Sequence, residues 1–451
     1  MEEYTESFKG KRITLLGLGL LGRGVGDAEF LAQCGAELTV TDKKSEAELM
    51  ESVEKLKKYP NVTFHLGGHR KEDFIDTEMV VKAAGIPLDS PEIAAARDAE
   101  VPVYMSTALF AKYAREAGAQ IVGVTGTRGK STVTHAIFYA LKSAAPRPGS
   151  GRERKIFLGG NIRGKSTLAM LPDVRAGDIC VLELDSWQLQ GFGDLKISPD
   201  IAVFTNLMPD HQNYYPSMDA YFADKANIFR FQKSGDSLFV GSSVRERVEA
   251  ARPEVAPLVP DPIPADWSLK IIGTHNRENA SLAAAALSAL GLSEDEIRAG
   301  VESFEGVEGR LQLVREVGGG KIYNDNNATT PEATIAALRA VGGSCTLIVG
   351  GSEKDLPLGE LVSEIKKNVS HVIVLMHSNY KGSARLVGVL QEAGIAYEEV
   401  GSLQQAMDVA VTKRSEVILF SPAFASFGMF KNEYERNDQF LGIVRTMEDA
   451  A

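Results

Sequence analysis

The chain has 451 residues, of which 44% are hydrophobic and 24% are charged, and this balance excludes a disordered chain and a fibrous protein. It carries 49 Lys and Arg against 60 Asp and Glu, and the net charge of −11 argues against nucleic acid as the main partner. No run reaches the roughly 18 apolar residues of a membrane helix, and the charged N-terminus lacks the apolar core of a signal peptide. We therefore expect a cytoplasmic protein with no membrane partner.

Short apolar runs alternate with amphipathic stretches along most of the chain, which is typical of parallel sheets covered by helices. The pattern predicts an α/β fold with three domains, each a mostly parallel sheet with flanking helices, at 1–117, 118–308 and 309–451. The predicted elements are strands at 12–17, 37–42, 78–85, 120–126, 178–184 and 200–206, a helix at 130–143, paired strands at 310–317 and 321–325, and strands at 345–351, 371–376 and 416–423.

Two segments between these elements have the composition of loops. Residues 143–154 are rich in Pro, Gly and Arg, and residues 251–266 contain five prolines, which a helix or a central strand does not accommodate. The three cysteines, Cys34, Cys180 and Cys345, are far apart and show no CxxC spacing. We predict that they are packing residues rather than disulfide partners or metal ligands.

The first glycine-rich loop, Gly17–Gly22, follows the first predicted strand and opens a helix, and Asp42 ends the second strand. Such glycines let the backbone approach a diphosphate at a helix N-terminus, while the acid contacts a ribose hydroxyl. The pattern indicates a nucleotide diphosphate without saying which one. NAD and a UDP-sugar both fit, and the glycines could also serve helix–strand packing alone.

The second glycine-rich loop, Thr125–Thr132, reads TGTRGKST and lies between a strand and a helix. In such a loop, backbone N–H groups face phosphate oxygens, a lysine adds positive charge and a hydroxyl ligates Mg²⁺. Val124 stands where the strict P-loop pattern has glycine, so this is a variant loop. We predict that it binds ATP through Gly126, Thr127, Gly129, Lys130, Ser131 and Thr132.

Two further side chains follow strands of the same predicted sheet. Glu183 ends the strand at 178–184, and His211 comes shortly after the strand at 200–206. Ligands of α/β folds bind at the carboxyl ends of the strands. Ser131, Glu183 and His211 could therefore meet around one cation, although a capping acid and a surface histidine are the plain alternatives.

Together these residues resemble the Mur ligase family. Beside TGTRGKST, the chain has GGNI at 159–162, DH at 210–211 followed by ADKANIF at 223–229, GTHNRENA at 273–280, and Arg310 followed by YND at 323–325. These motifs stand in the family's order over roughly residues 120–330. The first glycine-rich loop with Asp42 and the run SPAFASFGMFKN at 421–432 are similar to the branch of the family that adds D-glutamate.

The resemblance implies an ATP-dependent, ADP-forming ligase of peptidoglycan precursor synthesis, acting as a monomer. It would join UDP-N-acetylmuramoyl-L-alanine to glutamate, with D-glutamate favoured, through an acyl phosphate. The three domains would bind the UDP substrate, ATP and the amino acid in that order.

The resemblance also implies roles for single residues. Two Mg²⁺ ions would be held by Ser131, Glu183, His211 and a carbamylated Lys225, and the catalytic group would comprise Lys130, Glu183, His211 and Lys225. Asn279 would contact adenine, with Asn276, Arg310 and Asp325 nearby. The UDP substrate would meet Leu20, Leu21, Asp42, Gly85, Asn161 and Ser186, and glutamate would meet Thr329, Lys354, Ser426 and Phe430.

Four positions depart from the family pattern: Arg128, Asn213, the pair Asn326-Asn327 and Glu433. Asn327 replaces a lysine near the expected glutamate site, which leaves the amino-acid specificity open between D-glutamate and L-glutamate. The alternatives are a related ligase with another amino acid and a catalytically inactive nucleotide-binding homologue. An NAD oxidoreductase is disfavoured because it would leave the second glycine-rich loop unexplained.

Overall fold

The computed structural model describes residues 2–20, 22–144, 154–211, 214–252, 254, 256–317 and 319–447. The chain forms two compact units, of which the first comprises Met1–Pro262 and Asn279–Gly300 and the second Ile263–Glu278 and Val301–Ala451. Most of the predicted loop at 143–154 lies outside the described residues. The three predicted domain boundaries stay a prediction.

The first sheet of the first unit has five parallel strands. Its strands are β1 Arg12–Leu16, β2 Glu37–Asp42, β3 Val62–Leu66, β4 Met79–Lys82 and β5 Val103–Met105. Their order is β3-β2-β1-β4-β5, so the topology reverses beside β1, where α/β folds open a ligand crevice. The accompanying helices are α1 Glu2–Glu6, α2 Arg23–Gln33, α3 Met50–Leu56, α4 Glu72–Ile75, α5 Pro91–Asp98 and α6 Ser106–Glu116.

The second sheet of this unit is also fully parallel. Its strands are β6 Gln120–Thr125, β7 Ile156–Gly160, β8 Ile179–Glu183, β9 Ile201–Phe204 and β10 Ser237–Val240. The order is β10-β9-β6-β8-β7, which makes β6 the central strand. The helices are α7 Lys130–Ser143, α8 Ser186–Asp194, α9 Met218–Lys225, α10 Asn227–Arg230 and α11 Arg245–Ala251, followed along the chain by α12 Thr274–Ala289 and α13 Glu294–Ser303.

Both sheets of the first unit contribute to one hydrophobic core. Leu38 of β2, Phe110 of α6 and Leu182 of β8 belong to the same cluster of buried side chains. Because burial of apolar surface is the main favourable term in folding, this shared core accounts for the two sheets forming one compact unit.

The third sheet lies in the second unit and has six strands. They are β11 Gln312–Val317, β12 Gly320–Asn324, β13 Cys345–Val349, β14 Val369–Leu375, β15 Tyr397–Val400 and β16 Val417–Phe420. The order is β11-β12-β16-β13-β14-β15, and only the pair β11–β12 is antiparallel. Its helices are α14 Pro331–Val341, α15 Gly359–Asn368, α16 Lys381–Glu392, α17 Leu403–Thr412 and α18 Glu433–Thr446.

The predicted fold class is confirmed, since the three sheets are mostly parallel and flanked by helices. The helix predicted at 130–143 and the pairing of β11 with β12 are also confirmed. The strand predicted at 78–85 is too long, because β4 ends at Lys82, whose ammonium group binds carbonyl groups of the following turn. The strand predicted at 200–206 ends at Phe204, because the next two residues bind the second glycine-rich loop.

Five strands were not predicted: β3, β5, β7, β10 and β15, which have three to five residues each. The three cysteines are buried and free, as predicted. In the described part of the chain, no helix has the length and apolar character needed to cross a bilayer.

Arg436 of α18 is a fully buried cation in the second unit. Its guanidinium donates to the side-chain oxygen of Asn326 at 2.8 Å, to the Asn326 carbonyl at 2.8 Å and to the Phe424 carbonyl at 3.2 Å. Burial lowers the pKa of Arg436 to about 10, so the side chain stays protonated at neutral pH. These bonds tie α18 to the loop that follows β12.

We predict that Arg436→Met lowers the free energy of unfolding of the second unit by about 3 kcal/mol or more. The substitution leaves three buried acceptors without a donor, and each unpaired group costs about 1–3 kcal/mol. Urea unfolding followed by the fluorescence of Trp267 in a Trp187→Phe background measures the effect, because the chain has two tryptophans. Arg445→Met, in the same helix but exposed, is the matched control. Equal stability of the two variants would contradict the prediction.

Candidate functional site

The second glycine-rich loop connects β6 to α7, and glycine is required at two of its positions. Gly126 and Gly129 have φ angles of 142° and 82°, which favour glycine. A Cβ atom on Gly126 would lie 1.9 Å from Thr205 Oγ1, and one on Gly129 would lie 2.3 Å from Asn279 Oδ1. The N-cap residue of α7 is Gly129, which has no side chain of its own to cap the helix, and helix N-termini favour anions.

Two lysines of the first unit bind the same carbonyl oxygen of this loop. Lys130 Nζ donates to the carbonyl groups of Gly126 and Thr127, both at 3.0 Å. Lys225 Nζ donates to the Gly126 carbonyl at 2.9 Å and lies 4.7 Å from the centre of the Tyr221 ring. Burial, together with the charge of Lys130, holds the pKa of Lys225 well below its ordinary value. A lowered pKa favours the neutral amine, which is the form that reacts with CO₂.

Glu183 and His211 lie at the carboxyl ends of β8 and beyond β9, as predicted. The register pairs Glu183 with Val124, the residue before Thr125 at the end of β6, and the Glu183 side chain is buried. His211 has a φ of 53° and packs its ring 4.7 Å from that of Trp187. Burial lowers the pKa of His211, and the charges of Lys130 and Lys225 lower it further. The neutral imidazole is the form that ligates metals.

Lys130, Lys225 and His211 thus lie near one another at the carboxyl edge of the second sheet. The two lysines bind one carbonyl group, and their charges act on the pKa of His211. Ser131 and Thr132 follow directly in the first turn of α7 and are partly exposed. Within the described ranges, whose gaps include 145–153 and 212–213, no three His, Cys, Asp or Glu side chains come together as metal ligands. A metal ion here would need the hydroxyl of Ser131 and a modified Lys225 beside Glu183 and His211. Asn213 lies outside the described residues.

The first glycine-rich loop contains three glycines in the left-handed region of backbone conformation. Gly17, Gly19 and Gly22 have positive φ angles of 93°, 64° and 81°. The carboxylate of Asp42 accepts the N–H of Gly19 at 3.0 Å and that of Lys44 at 2.9 Å. Its oxygens therefore hold the loop itself, and the predicted contact to a ribose stays a prediction.

Two cavities of the first unit adjoin this loop. One of about 340 Å³ is lined by Gly17, Asp42, His69 and Gly85 among others. The other cavity has a volume of about 350 Å³, and we call it the loop cavity. Residues from the segments around both sheets line it, and they include Gly17–Leu20, Arg23, Asp27, Lys82–Gly85, Met105–Thr107, Asn161, Asp185, Trp187 and Gln188. The predicted residues Leu20, Gly85 and Asn161 therefore line one cavity. Ser186 is buried at the start of α8, and Leu21 lies outside the described residues.

Lys82 is a residue of the loop cavity that the sequence analysis missed. Only 2% of it is exposed, and its ammonium donates to the carbonyl of Ile86 at 2.9 Å. Burial lowers the pKa of Lys82 to about 8, against the opposing charges of Asp194 and Asp185. The sequence feature that could have indicated this buried residue is a lysine at the end of the apolar run MVVK.

Three residues predicted near the nucleotide lie in the second unit. Asp325 accepts the N–H of Leu311 at 3.0 Å and the hydroxyl of Ser421 at 2.8 Å, so both carboxylate oxygens are bound inside this unit. Burial raises the pKa of Asp325 to about 7, and the charge of Arg310 opposes this rise. Asn276 is buried, and its side-chain amide donates to the carbonyl of Ile272 at 2.8 Å.

The four residues predicted to line a glutamate pocket also lie in the second unit. Lys354 Nζ donates to Thr329 Oγ1 at 3.1 Å, and Ser426 and Phe430 are both buried. Ser352 forms an antiparallel bridge with Ala425, which places the segment before Lys354 beside the segment before Ser426. The four predicted residues thus belong to adjoining segments.

Asn327, which replaces the family lysine, is held by neighbouring backbone groups. Its N–H donates to the carbonyl of Gly309 at 2.9 Å, and its side-chain amide donates to that of Glu308 at 3.4 Å. The short polar side chain therefore serves the loop that follows β12 and carries no charge for a substrate.

Comparison with known proteins gives matches along the whole chain. Family models described as Mur ligase MurD-like N-terminal domain, Mur ligase middle domain and Mur ligase glutamate ligase domain match residues 11–105, 124–255 and 309–424. UDP-N-acetylmuramoylalanine–D-glutamate ligase of Roseiflexus sp. is 34% identical, with 97% of this chain and 99% of the relative covered. The enzyme of the same name from Acetivibrio thermocellus is 31% identical, with 99% of each chain covered.

Solved structures with the same fold are more distant in sequence. UDP-N-acetylmuramate-alanine ligase MurC from Thermotoga maritima has a TM-score of 0.62 at 18% identity, covering 97% of this chain and 100% of that one. MurF ligase from Thermotoga maritima, solved in complex with ADP, has a TM-score of 0.57 at 17% identity, covering 97% and 95%. These similarities support the fold described above.

We predict that Asp325→Asn flattens the pH dependence of stability of the second unit. The folded-state pKa of about 7 lies above the ordinary value of 3.8, so the unfolded chain loses this proton first and stability falls as pH rises between these values. The asparagine side chain accepts the N–H of Leu311 and donates to the hydroxyl of Ser421, and it does not ionise. The substitution therefore removes the loss of stability with rising pH, which is about 1.4 kcal/mol for each unit of pKa difference.

Urea unfolding followed by Trp267 fluorescence in the Trp187→Phe background, between pH 4.5 and 8, measures the difference. The variant should gain stability relative to the unsubstituted chain as pH rises. A difference that stays constant with pH would show that Asp325 is ionised in the folded protein.

Proposed function

The chain belongs to the Mur ligase family of ATP-dependent, amide-forming ligases of peptidoglycan synthesis, and we propose that it joins UDP-N-acetylmuramoyl-L-alanine to D-glutamate. The observation that carries the proposal is the similarity over 97–99% of the chain to enzymes named for this reaction. The reaction would release ADP and phosphate. We further propose that the protein acts as a monomer in the cytoplasm.

The loop between β6 and α7 is proposed to hold the phosphates of ATP. The positions of Gly126 and Gly129 have no room for a Cβ atom, and the N-terminus of α7, whose N-cap residue is Gly129, would face the phosphate oxygens. Lys130, at the first position of α7, would turn its ammonium from the loop carbonyls to the phosphates. Asn279, whose side chain touches Gly129, would contact the adenine, with Asn276, Arg310 and Asp325 as further nucleotide residues.

The residues beside this loop fit Mg²⁺ only if Lys225 is modified. Glu183 supplies a carboxylate, His211 a neutral imidazole and Ser131 a hydroxyl, which are hard or intermediate ligands. Reaction of the neutral Lys225 amine with CO₂ would form a carbamate, lose a proton and place a second anion beside Gly126. Bound Mg²⁺, as two ions, would neutralise phosphate oxygens as charge shifts between them.

The chemistry follows from the weak electrophilicity of a carboxylate. Transfer of the γ-phosphoryl group of ATP to a carboxylate oxygen of UDP-N-acetylmuramoyl-L-alanine gives an acyl phosphate and ADP. The amine of glutamate attacks the carbonyl carbon, the tetrahedral oxyanion collapses, phosphate leaves with the C–O bond electrons, and the amine loses a proton. Lys130 would stabilise the charge that moves onto phosphate oxygens, since positioned donors act most strongly on developing charge.

The UDP substrate and the amino acid would use separate residue groups. Leu20, Leu21, Asp42, Gly85, Asn161 and Ser186 would contact the UDP substrate. The pair Lys354–Thr329, with Ser426 and Phe430 in the adjoining segment, would bind glutamate, and the ammonium of Lys354 suits its side-chain carboxylate. Because Asn327 carries no charge, a ligase for L-glutamate or another amino acid is the second candidate function.

The proposed function is tested by phosphate release with ATP, Mg²⁺ and UDP-N-acetylmuramoyl-L-alanine, comparing D-Glu, L-Glu and D-Asp. We expect D-Glu to give the highest kcat/KM, by about tenfold or more, because a single lost contact of this kind costs about 1.4 kcal/mol. Faster turnover with L-Glu would favour the second candidate, and no turnover with any amino acid would favour an inactive nucleotide-binding homologue.

Lys130→Ala is expected to reduce kcat by about 100-fold or more, because the loss of one hydrogen-bond donor to a developing charge has an effect of this size. Binding of the UDP substrate, measured by calorimetry, should be unchanged. Lys142→Ala, an exposed lysine in the same helix, is the matched control and should keep full activity. Retained turnover in Lys130→Ala would contradict the proposal that this loop holds the phosphates of ATP.

Lys225→Ala is expected to lose most activity and to regain part of it when formate or acetate is added, because a small carboxylate can occupy the place of the carbamate. Phosphate release at increasing carboxylate concentration measures the rescue, and thermal unfolding checks that the variant is folded. Full activity of the variant without added acid would show that no carbamate is needed.

A further inference from the structure

The loop cavity contains two N–H groups that no described residue satisfies. Arg23 Nε and Trp187 Nε1 are both buried, and neither has a hydrogen-bond acceptor among the described residues. Both side chains line the loop cavity of about 350 Å³. Buried donors are nearly always paired in native proteins, so two such donors in one cavity point to a ligand that carries acceptors.

Arg23 also determines how Asn161 is oriented. Arg23 Nη1 donates to Asn161 Oδ1 at 3.0 Å. A guanidinium has donors only, so the oxygen of the Asn161 amide must face it. The Nδ2 group of Asn161 consequently points away from Arg23. Its two hydrogens have no acceptor among the described residues, and Asn161 lines the cavity, so these hydrogens are available to a ligand.

Both ends of this hydrogen bond are held by the backbone. Arg23 is the first residue of α2, directly after Gly22 with its φ of 81°. Asn161 follows Gly160, whose φ is 88°, and its N–H donates to the carbonyl of Glu183 at 2.8 Å. The hydrogen bond between Arg23 and Asn161 therefore links the start of α2 to the carboxyl ends of β7 and β8. The proposed metal ligand Glu183 is the last residue of β8.

We propose that Arg23 is a positioning and specificity-determining residue for the UDP-linked substrate. It holds Asn161 so that the Nδ2 hydrogens meet a carbonyl or carboxylate oxygen of the substrate's acyl part. The free Arg23 Nε–H, with its positive charge, meets a further acceptor of the same anionic substrate. The inference rests on the proposed function, because it names a determinant of that substrate's binding.

The test compares steady-state phosphate release by Arg23→Leu, Arg23→Lys and Asn161→Ala, with KM measured separately for the UDP substrate and for ATP. Arg23→Leu should raise KM for the UDP substrate by about 10-fold to 100-fold and leave KM for ATP within about twofold, since a lost charged hydrogen bond has this size. Arg23→Lys keeps one donor and the charge, so its effect should be smaller. Arg12→Leu, at an exposed arginine of β1 in the same unit, is the matched control.

A double variant separates positioning from independent contacts. The double variant Arg23→Leu/Asn161→Ala should raise KM for the UDP substrate by a certain factor. This factor should be well below the product of the factors found for the two single variants, because one residue acts through the other. Fully multiplicative effects, or an unchanged KM in a folded Arg23→Leu protein, would overturn the inference. Thermal unfolding establishes folding, and Arg23→Lys serves where Arg23→Leu does not fold. Inactivity of the unsubstituted protein would instead count against the proposed function.

Discussion

The carbonyl oxygen of Gly126 accepts hydrogen bonds from two lysine side chains, and this arrangement brings two amines together just beyond β6, the central strand of the second sheet. Both lysines reach the loop beside glycines, where Thr205 and Asn279 fill the space that Cβ atoms would take. The positive charge of Lys130 at a helix N-terminus favours a polyanion. Burial, together with neighbouring positive charge, lowers the pKa of Lys225 and of His211 and so favours their neutral forms.

The first glycine-rich loop lies in the same compact unit as the second. Polar bonds join the two sheets around the loop cavity, since Arg23 binds Asn161 and the Ser166 hydroxyl binds Asp27 at 2.6 Å. Burial raises the pKa of Asp27 to about 6. These bonds join residues that are more than 130 positions apart in the chain. A substrate in this cavity would therefore contact both sheets of one compact unit.

The second unit shows how a departure from a family motif is accommodated. Asn326 is held by the buried Arg436, and Asn327 binds the backbone of the preceding segment. Two short amides thereby satisfy buried donors and acceptors at the end of β12. Lys354, which is proposed to meet glutamate, donates a hydrogen bond to Thr329.

The sequence by itself determined the elements whose cause is local. The bounds of α7, the pairing of β11 with β12 and the positive φ angles of both glycine-rich loops follow from apolar periodicity and glycine placement. Only the tertiary structure decided which distant residues meet: Asn279 against Gly129, and Arg23 against Asn161. Such contacts join residues far apart in the chain, and local spacing carries no information about them because they arise when separate elements pack into a common core.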